Sequence, residues 1–193
     1  MTRTRYTTVA IVLHWAIAAL IVANLYLGWR MGFLKGLAQF NLFQLHKSIG
    51  VTILLLSVLR LAWRLASPPP APPPSLAPWE KAASTAVHWA FYGIMIGMPL
   101  SGWIVVSTSP LNIPTLLYHL VPWPHFPGVH DLADPARKAV NRAFDITHVT
   151  LAFGTLVLLA LHLGAVAKHQ FVDRKPVLPR MLPFVGGASR LEP

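Results

Sequence analysis

The chain has 193 residues, of which 54% are hydrophobic and only 11% are charged. Soluble domains carry about 25% charged residues, so this chain lacks the charge to cover a soluble surface. Cysteine is absent, which excludes disulfides, thiolate metal sites and the covalent attachment of c-type haem. The formal net charge of +10 can indicate nucleic-acid binding. Here the basic residues lie mostly at the ends of apolar runs, which favours a membrane protein with no nucleic-acid partner.

Four apolar runs are long enough to cross about 30 Å of hydrocarbon. They cover residues 8–30, 41–65, 80–107 and 142–169. The sequence therefore predicts an all-α, integral membrane four-helix bundle in the lipid bilayer, with one domain over residues 1–184 and a disordered tail over 185–193. Pro99 lies inside the third run, where the missing N–H predicts a kink.

Two connections differ in composition. Residues 67–75 read SPPPAPPPS, a pattern typical of a stiff polyproline segment. Residues 108–141 form the longest connection and are rich in proline and aromatic residues. We expect a short interfacial helix within residues 107–120.

Four spans place both termini on one side of the membrane. The terminal side carries ten lysines and arginines: Arg3, Arg5, Arg60, Arg64, Lys81, Lys168, Arg174, Lys175, Arg180 and Arg190. The opposite side carries six: Arg30, Lys35, Lys47, Arg137, Lys138 and Arg142. Because lysine and arginine are enriched on the cytoplasmic side, we predict that both termini are cytoplasmic.

Five histidines fall within the spans: His14, His46, His88, His148 and His162. Ionisable residues at membrane depth are rare and usually functional. His148 and His162 are fourteen residues apart, which is about 21 Å along a helix and within about 40° of the same face. We therefore expect an outer layer, His46 with His148, and an inner layer, His14 and His88 with His162.

Facing imidazoles in an apolar bundle suit an iron porphyrin, because each offers a neutral nitrogen to the iron. Two pairs would hold two b-type haems. Gly50 and Gly154 lie near the histidines, either to admit a flat macrocycle or for ordinary close helix packing. A bare zinc or copper site is disfavoured, because the layers lie too far apart for one metal and the sequence has no short His-x-x-His cluster.

Several motifs together resemble the bacterial cytochrome b561 family. They are LHW at 13–15, FQLHKSIG at 43–50, AVHWAFYGIMIGMPLSGW at 86–103, and the paired His148 and His162. The resemblance implies a multi-pass protein of the bacterial inner membrane with two haem b groups. By position, His46 and His148 would ligate the outer haem iron, and His14 and His162 the inner one. It further implies electron transfer to or from ubiquinone, and in some members the oxidation of superoxide.

His88 has two alternative roles at the inner layer. It either replaces His14 as an iron ligand or lines a quinone pocket together with the adjacent Trp89. Lys81 and His169 lie at the inner boundary, where they would hydrogen-bond a quinone carbonyl and deliver protons.

Four basic residues are candidates for anion binding. Lys47 and Arg142 either steer an anion towards the outer haem or pair with a haem propionate. Arg60 and Arg64 either extend to lipid headgroups or bind propionates of the inner haem.

Three functions remain open at the level of sequence. The first is a dihaem oxidoreductase that links an outer donor, with superoxide as a candidate, to ubiquinone. The second is an electron conduit that docks a separate dehydrogenase. The third is a haem-free transporter or scaffold, and the lack of an inverted repeat counts against a transporter.

Overall fold

The computed structural model describes residues 4–175 and 177–182. It contains four long helices, each long and apolar enough to cross a membrane. These are α1 (Thr8–Met31), α2 (Gly36–Ala66), α3 (Pro78–Thr108) and α4 (Asp134–Ala167). The predicted helical membrane bundle is therefore confirmed. The predicted tail, residues 185–193, lies outside the described residues.

The helix starts have identifiable local causes. The Thr7 side chain accepts a hydrogen bond from the backbone N–H of Ala10 and so caps α1. Helix α3 begins at Pro78, whose fixed φ angle suits the first position of a helix. The Glu80 carboxylate accepts the N–H of Ala77 one turn back. These contacts satisfy donors that a helix start leaves unpaired.

Two helices extend beyond the predicted spans. Helix α2 begins at Gly36 and α4 at Asp134, about one and two turns earlier than hydropathy alone predicts. The first turn of α4 contains Pro135, and Arg137 forms a 2.7 Å salt bridge with Asp134. The α4 extension reads DPARKAVN and is largely polar, so hydropathy does not detect it. The α2 extension reads GLAQF and is not polar, and it begins at Gly36, which has a positive φ of 62°.

The prediction of an interfacial helix within residues 107–120 is wrong. Helix α3 runs to Thr108 and is followed by a two-stranded antiparallel hairpin. Strand β1 is Thr115–Leu117 and strand β2 is Val121–Trp123. We call the end of the bundle that carries this hairpin the outer end, and we call the end where α1 begins and α4 ends the inner end.

Side chains of α2 explain why a hairpin forms there. Tyr118 and His119 have φ angles of 52° and 61°, which are unfavourable for bulky residues. The backbone N–H of Tyr118 donates to Ser48 Oγ at 2.9 Å, and its hydroxyl lies 2.7 Å from Thr52 Oγ1. Pro114, without an N–H, precedes β1 and offers its carbonyl to α2. These tertiary contacts offset the local backbone strain.

The helices pack in chain order: α1 contacts α2, α2 contacts α3, and α3 contacts α4. Ile17, Tyr92 and Met95 form a buried cluster between them. Large apolar side chains elsewhere are exposed, for example Phe153 at 65% and Leu161 at 56% on α4. Lipid is the solvent that such surfaces require.

Candidate functional site

The outer histidines face each other across the bundle. His46 of α2 and His148 of α4 have ring centroids 6.1 Å apart. Both line a cavity of about 1120 Å³, including its open mouth, whose walls come from all four helices and the hairpin. Most of the other lining side chains are apolar, including Phe91, Ile94 and Trp103.

Backbone carbonyls hold both outer imidazoles. His46 Nδ1 lies 3.1 Å from the carbonyl oxygen of Asn24, and His148 Nδ1 lies 3.0 Å from that of Met98. Ser101 Oγ is a further partner of His148 Nδ1, at 3.1 Å. Because a carbonyl only accepts, each Nδ1 carries the proton and each Nε2 keeps its lone pair. Such hydrogen bonds also orient a ligating imidazole and raise its basicity.

A glycine lies against each outer imidazole. A Cβ atom at Gly28 would lie 3.3 Å from His46 Cε1, which is tighter than ordinary contact. A Cβ at Gly102 would lie 2.9 Å from His148 Cε1 and 3.2 Å from its Nδ1. The observed ring position of His148 therefore requires glycine at 102.

The two glycines noted in the sequence have different surroundings. A Cβ at Gly50 would meet Asn24 Nδ2 at 3.7 Å, and one at Gly154 would meet Ile94 Cδ1 at 3.5 Å. These are ordinary van der Waals distances to protein atoms. Gly154 thus lies where α4 packs on α3, and Gly50 lies on the cavity wall.

The inner layer contains three imidazoles. The His162 ring centroid is 6.3 Å from that of His14 and 6.0 Å from that of His88. Phe91 packs edge-on against His162 at 5.6 Å. His88 Nδ1 has a long 3.5 Å contact with Ser84 Oγ. The three predicted residues are brought together, and the two possible pairs have nearly equal spacing.

The donor set fits haem b. A metal bonded to two opposite imidazole nitrogens at about 2.0 Å each separates the two ring centroids by about 6 Å. The outer pair, at 6.1 Å, and the inner pairs, at 6.0 and 6.3 Å, all match this spacing. Both outer Nε2 atoms are free of the hydrogen bonds that hold the rings, and the apolar cavity beside them suits a porphyrin.

Lys47 lies next to the outer pair. It is only 8% exposed and lines the same cavity as His46. Its ammonium donates to the carbonyl oxygen of Pro114 at 3.1 Å and lies 4.8 Å from the centroid of the Phe43 ring. None of the described carboxylates lies within ion-pair distance of it. Arg142, the other predicted outer cation, is exposed on α4 and outside the cavity.

His169 belongs to an ionic network at the inner end. After α4, residues Lys168–Val172 form a π-helical turn. His169 Nδ1 lies 2.8 Å from Asp173 Oδ2, and Lys168 bridges Asp173 and Glu80 at 2.7 and 3.1 Å. The hydrogen bonds from Lys168 and His169 lower the pKa of the Asp173 carboxyl. The Lys168 ammonium satisfies both carboxylates, which favours a structural role over metal binding.

The cavity that His46 and His148 line is not lined by Lys81, Trp89 or His88. Lys81 is half-buried near the start of α3. Trp89 is 48% exposed and packs 5.8 Å from Tyr92. Neither has a contact with His88 that would define a shared pocket within the described residues.

The sequence analysis missed the groups that hold the outer imidazoles. The carbonyls of Asn24 and Met98 carry no sequence signal, because every residue has one. Gly28 and Gly102 are small residues inside apolar spans, which is the signal that could have indicated a close approach. Asn24 is itself 8% exposed, and its Oδ1 is buried without a partner among the described residues.

Two histidines of the outer connection stack on each other. The rings of His125 and His130 are 4.1 Å apart and nearly parallel. His130 Nδ1 lies 3.3 Å from the carbonyl oxygen of Ser107 at the end of α3. Burial lowers the pKa of His125, and the charges of His130 and Lys47 lower it further, against a raising effect of Asp131.

A membrane-spanning helical bundle with facing imidazoles at two depths defines a haem-binding electron-transfer protein. The family model described as prokaryotic cytochrome b561 matches residues 5–184. The chain therefore belongs to the prokaryotic cytochrome b561 family, whose members bind haem b. It is a multi-pass protein of the bacterial inner membrane.

Three relatives match nearly the whole chain. Cytochrome b561 homolog 2 of Escherichia coli (strain K12) is 31% identical over 92% of this chain and 91% of the relative. Probable superoxide oxidase CybB of Yersinia pestis is 25% identical over 93% of this chain and 96% of the relative. Cytochrome b561 homolog 1 of Escherichia coli (strain K12) is 27% identical over 93% and 97%.

Proposed function

We propose that this chain transfers electrons between a donor at its outer end and ubiquinone, through two b-type haems. His46 and His148 would hold the outer haem, and His14 and His162 the inner one. The observation that carries the proposal is the outer imidazole pair, 6.1 Å apart at the wall of an apolar cavity. Because both Nδ1 atoms are held by carbonyls, both Nε2 atoms remain available to a metal.

A haem held by two imidazoles has no open coordination position, so when bound it supplies electron transfer and not oxygen activation. The chain separates its two histidine layers by fourteen residues of α4, about 21 Å of the roughly 30 Å hydrocarbon. Inward electron movement opposes an inside-negative potential at about 2.3 kcal/mol per charge per 100 mV. The outer donor must therefore be a considerably stronger reductant than ubiquinol.

We propose superoxide as that donor. Lys47 is a buried cation next to His46 without a carboxylate partner in the described chain, so it would attract a small anion to the cavity. A relative at 25% identity carries the name probable superoxide oxidase. In the overall reaction, two superoxide ions lose one electron each to give two O₂. Ubiquinone takes up two electrons and two protons to give ubiquinol.

The test mixes the purified, haem-loaded protein with superoxide and a soluble ubiquinone analogue. We expect rapid appearance of reduced b-type absorption bands and one quinol for every two superoxide ions consumed. Lys47→Gln should slow the second-order rate by about tenfold and flatten its dependence on ionic strength. Lys35→Gln is the matched control, since Lys35 is an exposed lysine at the outer start of α2.

Two other outcomes would overturn parts of the proposal. Intact haem bands that superoxide fails to reduce would exclude this donor and favour the electron conduit for a separate dehydrogenase. A preparation that contains no haem, despite ample haem supply during expression, would exclude both functions and favour the transporter or scaffold.

A further inference from the structure

Two arginines at the inner end of α2 have no carboxylate partner among the described residues. Arg60 and Arg64 lie one turn apart, and both are half-buried. The ion pairs of the described chain all involve other cations. Two half-buried guanidinium groups without a carboxylate favour an anion supplied from outside the chain.

Tyr92 of α3 organises both guanidinium groups. Its side chain is buried, and its hydroxyl accepts a hydrogen bond from Arg60 Nε at 3.4 Å. Arg64 lies over its ring at 5.6 Å and over the Trp89 ring at 5.5 Å. Stacking covers the face of the Arg64 guanidinium and leaves its in-plane N–H groups available. The terminal nitrogens of Arg60 have no hydrogen-bond acceptor among the described residues, so they can bind a further acceptor.

The two arginines border an open groove of about 290 Å³. Its other lining residues are Tyr6, Ala10, Trp63, Ser67, Pro69 and Tyr92. Trp63 is fixed by a 2.9 Å hydrogen bond from its Nε1 to Thr7 Oγ1. The groove thus lies between the start of α1 and the end of α2, and no histidine lines it. It is separate from the cavity that holds the outer histidines.

We propose that this groove binds the phosphate of an anionic phospholipid headgroup. Two guanidinium groups with free N–H edges can hold a phosphate with several charge-assisted hydrogen bonds. Tyr6, Trp63 and Tyr92 surround them with aromatic rings of the kind that prefer the membrane–water boundary. The acyl chains would extend along the apolar surface of the helices.

The test measures lipid binding to the haem-loaded protein in detergent by native mass spectrometry. Phosphatidylglycerol and phosphatidylcholine with identical acyl chains are compared. A basic residue near an anionic lipid surface contributes about fivefold in affinity, so two arginines predict about a 25-fold preference for phosphatidylglycerol. Arg60→Gln and Arg64→Gln should each reduce this preference about fivefold, and Tyr92→Phe should reduce it by a smaller factor.

Arg174→Gln is the matched control, because Arg174 is an exposed arginine at the same end of the bundle. It should keep the full preference. An unchanged preference in the Arg60→Gln/Arg64→Gln double variant would overturn the proposal. So would complete displacement of the lipid by millimolar inorganic phosphate, or loss of a haem from Arg64→Gln without a change in lipid binding. Lipid selectivity in a haem-free preparation would uphold this inference while excluding the proposed electron transfer.

Discussion

The outer and inner histidine layers use the same residue type but differ in how the protein holds it. In the outer layer, His46 and His148 each have a backbone carbonyl partner, and each packs against a glycine. In the inner layer, the His162 ring lies about 6 Å from both His14 and His88. Within the described residues, His14 and His162 have no hydrogen bond to either ring nitrogen.

The two layers therefore differ in how far the chain itself fixes the orientation of its imidazoles before a metal binds. A carbonyl partner fixes the tautomer and orientation of an imidazole before any metal binds. The outer layer is therefore preorganised for the proposed pair of ligands, His46 and His148. The inner layer has one imidazole more than a bis-histidine site needs, so its pairing depends on the bound group as well as on the chain.

The largest expected effect comes from removing an outer histidine. His46→Ala or His148→Ala should lower the haem content from the proposed two to one per chain, because a single imidazole would leave the proposed outer haem without its second ligand. The measurement is haem stoichiometry of purified protein. His119→Ala, on the exposed hairpin turn, should retain both haems. Retention of both haems in His148→Ala would show that His148 is not a haem ligand and would contradict the proposed outer pair.

The next experiment distinguishes the two possible inner pairs. His14→Ala should lose the inner haem, since position in the LHW motif makes His14 the proposed partner of His162. His88→Ala should keep both haems and change only quinone reduction. The haem stoichiometry of each variant shows whether His14 or His88 pairs with His162, and quinol formation is measured in parallel. The reverse pattern would establish His88 with His162 as the inner ligands.

A smaller effect is expected at the glycine that contacts His148. Gly102→Ala introduces a Cβ 2.9 Å from His148 Cε1, and such overpacking costs about 1–3 kcal/mol. We expect partial loss of the outer haem and a lower melting temperature. Gly93→Ala on the same helix is the matched control, because a Cβ there meets nothing within 4 Å. Equal behaviour of the two variants would show that His148 tolerates displacement.

The smallest expected effect is a pH dependence confined to the outer end. Burial lowers the pKa of His125 from its ordinary value of 6.5, with Asp131 opposing and His130 and Lys47 adding to the effect. Because the folded chain favours neutral His125, the segment 124–130 around it is most stable above pH 6.5. Its stability decreases as the pH falls below 6.5, where His125 of the unfolded chain takes up a proton.

Hydrogen exchange of residues 124–130 provides the measurement. Relative to the intrinsic rate, the exchange of these amides should increase as the pH falls from 7 to 5, while the relative exchange rate at the inner end of the bundle stays unchanged. His125→Asn should abolish the increase, and His119→Asn should leave it. An increase of equal size at both ends would mean that protonation acts on the whole bundle.

The sequence by itself determined the membrane class, the four helices and the five histidines in them. Apolar runs of sufficient length have few alternatives in lipid, because a spanning segment must satisfy its own backbone hydrogen bonds. The helical repeat also grouped His148 and His162 on one face, at two depths. Local rules were sufficient for these features.

Only the tertiary structure decided how the outer imidazoles are held. The carbonyls of Asn24 and Met98 and the close approach of Gly102 belong to other helices, so no local pattern reveals them. The hairpin at 115–123 likewise depends on the hydrogen bonds that Tyr118 forms with Ser48 and Thr52 of α2. Contacts between distant segments outweighed the local preferences of residues such as Tyr118, and such contacts exist only once the helices have packed.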